Sequence, residues 1–134
     1  MKKKLLIILL LLTLNSFSQI TKYRSISVVE VENTESGDKY SESKKVDIII
    51  TFNLTNRNIT VSEKNDRIFN IVKLGSFPDD NNNERTDFNC TNEKGERLTV
   101  VLIKYTKPDK NGIEAQVLIK KDSVYIYDVK RIQN

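Results

Sequence analysis

The chain has no histidine and no tryptophan, a single cysteine, Cys90, and one methionine, Met1. Without histidine no Ser-His-Asp or Cys-His nucleophile pair can form, and one thiol cannot assemble the common zinc ligand sets. One cysteine also excludes an internal disulfide, so a folded domain must be held by burial alone. Glycine and proline are scarce, four and two in 134 residues, and therefore mark discrete turns and not a flexible tract. No stretch approaches the ~20 apolar residues that a membrane-spanning helix needs. The longest aliphatic run, Leu5 to Leu12, is about half that.

That run is the first feature present. Met1-Lys2-Lys3-Lys4 precedes it and Ser16-Phe17-Ser18-Gln19 follows. A basic head, a short apolar middle and small residues before the cut are the parts of a secretory signal peptide. Residues 1–18 are read as a cleaved signal peptide and 19–134 as a single β domain, periplasmic or secreted, with no stable membrane span after cleavage. Lys+Arg outnumber Asp+Glu by 22 to 18, but Lys2, Lys3 and Lys4 leave with the leader. The near balance that remains offers no basic stripe for nucleic acid. About 116 residues (134 less the leader) can bury roughly two-thirds of their surface, so no cofactor is needed to hold a core.

The mature chain reads as strands. Arg97 to Thr106 organises the rest: Val100 to Ile103 are four consecutive apolar residues, so both faces of this strand need cover. Val46 to Leu54 alternates most cleanly, with Val46, Ile48, Ile50, Phe52 and Leu54 on one face. Tyr23 to Val31 is a strand with Ile26 and Val28 on one face and Tyr23, Val29 and Val31 on the other. Ile59 and Val61, Phe88 and Cys90, and Ile113, Ala115, Val117 and Ile119 repeat the two-residue spacing. In Ser123 to Val129, Val124 and Ile126 oppose Tyr125 and Tyr127. Ile68 to Leu74 fits one or two helical turns or a short strand, and its flanking turns favour the strand. Asn33 to Lys45 and Gly75 to Arg85 read as loops, Asn56-Arg57-Asn58 as a turn suited to asparagine at positive φ, and Lys130 to Asn134 as a fraying tail. Asn92-Glu93-Lys94-Gly95 joins two strands in a hairpin. The expected fold is all-β, a single antiparallel meander closing toward a small barrel or a two-layer sandwich.

Candidate chemistry is sparse. Asp79, Asn81 and Asn83 match the start of a calcium loop, but Glu84 stands where that loop needs glycine and Cys90 where it needs a bidentate glutamate. The Asp79 to Glu84 run is a solvated loop on this reading, and no metal site is assigned. Asp47 and Asp128 are the two acids embedded in strongly apolar strands, the arrangement a carboxylate-pair hydrolase would require across a cleft. A solvent-facing position is the simpler account of each, and no catalytic residue is assigned. Tyr105, Tyr125 and Tyr127 are a possible partner surface, since tyrosine offers apolar area with a polar tip.

With its Phe17-Ser18-Gln19 leader end and the hairpin Cys90 to Tyr105, the chain resembles the small exported single-domain β-meander proteins of Gram-negative bacteria, which mostly have no assigned activity. In outline it is similar to lipocalin-type barrels, without their Gly-x-Trp signature. The expected function is that of an exported, non-enzymatic β domain binding an envelope protein or surface partner at its strand edges or tyrosines. The alternative is a carrier of a small apolar ligand, which a cavity lined by Ile48, Ile50, Phe52 and Val100 would favour.

Overall fold

A computed structural model describes residues 20–78 and 83–132, so the expected leader and most of the Asp79 to Glu84 run lie outside the described residues. Antiparallel strands follow one another around a closed sheet: β1 (Ile20–Thr34), β2 (Gly37–Tyr40), β3 (Lys44–Asn53), β4 (Asn58–Ser62), β5 (Arg67–Pro78), β6 (Glu84–Thr91), β7 (Arg97–Lys104), β8 (Ala115–Lys120) and β9 (Val124–Arg131). β1 pairs with β3, each of β3 to β8 pairs with the next, and β9 returns to β1, closing an eight-stranded barrel. β2 is an extra strand paired with β1 alone. Of the two architectures left open by periodicity, the barrel is the one formed. Closure gives the inward side chains neighbours all round the lumen, and leaves as edges the outer side of β2 and the β5 stretch beyond Asn70.

Alternation fills the lumen. Ile50, Ile59, Val61, Val100, Val117 and Val129 are wholly buried at its waist. Tyr23, Phe52 and Phe88 form an aromatic row, with ring centroids 5.8 Å apart for the first pair and 5.3 Å for the second. Burying each such side chain contributes about 1.5–3 kcal/mol, which is how the chain dispenses with a disulfide. On the organising strand, Val100, Val101 and Leu102 are all buried. Val101 faces outward between Asp87 on β6 and Leu118 on β8. The cover on its outer side comes within a single closed sheet; no second sheet layer is present among the described residues.

Several local expectations are corrected. Tyr23 does not share a face with Val29 and Val31. A bulge between Ser25 and Ser27 shifts the register of β1 against both neighbours, so the inward phase passes from Tyr23 to Val28, which packs on the core. Ile26 is left exposed. The segment 33–45 is not a loop: the β1 hairpin continues as β2, with Thr34 opposite Gly37 at φ +117°. Val31 is paired with Val124 on one side, so Tyr40 takes its other side, the edge that β3 uses. Residues 75–78 and 84–85 extend the β5–β6 hairpin where a loop was expected. At 56–58 the positive φ (55°) belongs to Arg57, not to asparagine. The turn is held by Asn53 Oδ1, which accepts the Asn56 N–H at 3.0 Å, and by Arg57 Nη2, which donates to the Val72 carbonyl at 3.4 Å. Lys130 and Arg131 complete β9, and Ile132 N–H donates to Lys22 O at 2.8 Å, tying down the start of the expected fraying tail.

Candidate functional site

The barrel has two open ends. At the first, the β4–β5, β6–β7 and β8–β9 turns (63–66, 92–96 and 121–123) surround a cleft of about 440 Å³. Its apolar wall is Phe69, Leu98, Ile119 and Tyr125, inward-facing residues near the ends of their strands. Asn92 shapes one turn: its Oδ1 accepts the N–H groups of Lys94 and Glu96 at 3.0 and 2.9 Å. Gly95 follows at φ +78°, a conformation other residues rarely adopt.

Arg67 stands in phase with Phe69 and Ile71, so alternation aims a guanidinium into the barrel mouth. Its Nη2 donates to Glu63 Oε1 at 2.9 Å and, across the lumen, to Tyr127 Oη on β9 at 3.2 Å. Its carbon centre lies 5.9 Å from the centroid of the Phe69 ring, within cation–π range. Burial works against the charge, but the bonds to Tyr127 and Glu63 outweigh it and hold the pKa above the ordinary arginine value. Among the described residues Nε is buried with no hydrogen-bond partner, and Nη1 donates to no protein group. A buried donor left unmet costs about 1–3 kcal/mol. Around the rim, Lys121 Nζ lies 2.9 Å from Glu96 and 3.3 Å from Asp122, and that contact with Lys121 lowers the Glu96 pKa.

The three tyrosines do not form one surface. Tyr125 and Tyr127 occupy the inward phase of β9: Tyr127 is 3% exposed inside the barrel, and Tyr125 lines the first mouth. Tyr105 lies at the other end, beside a second cleft of about 300 Å³ shared with Tyr23, Glu114 and Arg131. Sequence reasoning had the alternation of β9 right, but not which of its phases points inward. It missed Arg67, whose signal was a charged residue in step with the apolar pair Phe69 and Ile71.

Asp47 and Asp128 are both outward-facing. Asp47 is bound by Arg24 through Nε at 3.0 Å and Nη2 at 3.2 Å, and Asp128 accepts from Gln116 Nε2 at 3.0 Å. They share no cleft. Of the Asp79 to Glu84 run, read as a solvated loop, residues 79–82 lie outside the described residues. Asn83 Oδ1 accepts the Thr106 N–H at 3.1 Å, and Glu84 opens β6.

Cys90 is 2% exposed and its thiol donates to the Phe88 carbonyl at 3.5 Å. Burial pushes its pKa from 9.0 up to about 11, so at neutral pH it is a protonated core residue without nucleophilic character. Burial also raises Tyr23 and Tyr127. In each case the unfolded chain releases its proton at lower pH than the native protein. For Cys90 the stabilisation is complete below pH 9 and is lost as pH climbs through about 11; for the two tyrosines the loss begins at their ordinary value of 10.0. The urea midpoint is expected to be lower at pH 10.5 than at pH 8, with a smaller drop in Cys90→Val. Equal midpoints at the two pH values would contradict the burial of these groups.

No family model, curated protein or solved structure matches the chain.

Proposed function

We propose that this is an exported, non-enzymatic binding domain whose ligand is a small molecule with an apolar body, seated in the first mouth of the barrel. The observation that carries this reading is the cleft among the three turns, floored by Phe69, Leu98, Ile119 and Tyr125. Barrel mouths are a recurrent place for such sites, and the volume falls within their usual range. A carrier with a deep central chamber is not supported. Ile48, Ile50, Phe52 and Val100 are at most 5% exposed and pack against one another's neighbours at the waist, so the ligand sits at the end of the lumen.

Docking of an envelope protein by strand addition is the second reading, favoured by the β5 segment beyond Asn70. There Val72 and Leu74 are 61% and 50% exposed, and the strand pairs with β6 only. Against it, this edge carries the devices that block added strands: a bulge between Ile71 and Lys73, the lysine itself, and Pro78.

The neutral fluorophore N-phenyl-1-naphthylamine tests the mouth. Its ~17 non-hydrogen atoms at about 0.3 kcal/mol each correspond to a dissociation constant on the order of 100 μM. Saturable, blue-shifted emission is expected. It should weaken several-fold in Lys94→Trp, which places a ring at an exposed position of the rim. Emission that does not saturate, or that Lys94→Trp leaves unchanged, would place the binding elsewhere.

A further inference from the structure

We propose that the ligand of the first mouth carries an acidic head, a carboxylate or sulfonate on an apolar body, and that Arg67 receives it through the Nη1 donors it does not use. The inference rests on the mouth being the binding site. Arg67 is placed there by strand phase, and Arg67, Phe69, Leu98 and Tyr125 share one cleft. A guanidinium has five N–H donors. Glu63 and Tyr127 engage Nη2 only; Nε is unbonded but sealed from the cleft, which leaves Nη1 as the open donor without an acceptor among the described residues. An anionic acceptor makes shorter and stronger bonds to such donors than a neutral one does.

The surrounding charges do not supply this preference. Lys121 alone holds both Glu96 and Asp122, and Glu63 is paired with Arg67, which leaves Asp66 and Glu93 against Lys94 among the other lining residues. With the rim acidic on balance, discrimination comes from contact with one guanidinium and not from a long-range field. Phe69 and Tyr125 supply flat walls for an aryl or short alkyl body. The cleft's size points to a free small acid in preference to a long-chain lipid.

A matched pair of probes tests this. 8-Anilinonaphthalene-1-sulfonate is N-phenyl-1-naphthylamine with a sulfonate added, so the two differ chiefly in the acidic head. Wild-type protein is expected to bind the sulfonate about tenfold or more tightly than the neutral probe. Arg67→Met should abolish that preference: the ratio of the two affinities, read within the variant so that any change in the mouth common to both probes cancels, should fall to about one. If Arg67→Met does not fold, Arg67→Lys, which keeps the charge but lacks the Nη1 donors, should reduce the preference. If the neutral probe binds and the sulfonate binds no better, the acidic head is excluded while the mouth remains a binding site. If the preference survives intact in Arg67→Met, the acid is held elsewhere and the assignment to Arg67 fails. If neither probe binds, both readings fall together.

Discussion

Replacing Phe52 by alanine is expected to remove about 3–5 kcal/mol of stability. The ring stands between Tyr23, edge-on at 5.8 Å, and Phe88 at 5.3 Å, and is 3% exposed. Its neighbours are fixed in strands on three parts of a closed sheet, so they cannot collapse into the space it leaves. For a domain whose total stability is on the order of 5–15 kcal/mol, the loss should lower the melting temperature by about 12–20 °C, at roughly 4 °C per kcal/mol for this size. Neighbouring positions in β3 and just beyond its end provide the control. Leu54→Ala, partly buried on the same face, should cost less, and Ile49→Ala, on the outer face and 37% exposed, should cost little. Urea titrations in which Phe52→Ala and Ile49→Ala shift the midpoint equally would contradict a filled lumen. They would also reopen the case for a central ligand chamber.

The second large effect concerns closure of the barrel. Ser25 is the only buried polar residue among the described residues, at 0% exposure, and it sits where β1 changes register against both β3 and β9. Its Oγ is 2.8 Å from the Ser27 carbonyl and 2.9 Å from the Asp128 carbonyl, and it accepts the Ser27 N–H at 3.4 Å. A single hydroxyl proton serves one of the two carbonyls at a time. A bulge breaks the ladder locally and strands backbone groups, and this side chain satisfies them. Ser25→Ala is expected to cost about 1–3 kcal/mol, because groups buried beside the bulge lose their partner. Hydrogen exchange at Ser27 should accelerate with it. A variant with unchanged stability and exchange would mean that the backbone holds the bulge unaided.

Much of this architecture is legible along the chain. Val46 to Leu54 and Ile113 to Ile119 alternate so regularly that a strand buried on one face is the natural reading, and their parts within β3 (to Asn53) and β8 (from Ala115) are strands with that face inward. Ile68 to Leu74 was ambiguous because two residues of period cannot be separated from one helical turn over so short a span. Pairing of Asn70 with both Asn58 and Thr91 decides it as strand. The segment 33–45 was opaque for a different reason. β2 is exposed on both faces, and a strand that buries nothing leaves no hydrophobic period to read. The candidate site was hardly visible at all. Three turns that surround one cleft are separated by some thirty residues of sequence each, and nothing local links Arg67 to Tyr127, sixty positions apart.

By itself the sequence determined the absence of histidine and disulfide chemistry, the β class of the domain and the composition of its core, because each follows from residue type or from a period of two. Tertiary structure alone decided that the sheet closes, which face of β9 turns inward, and that a guanidinium ends in a barrel mouth with donors to spare. Those outcomes depend on register between distant strands. A single bulge such as the one between Ser25 and Ser27 shifts the register, and no composition or periodicity within one strand encodes it.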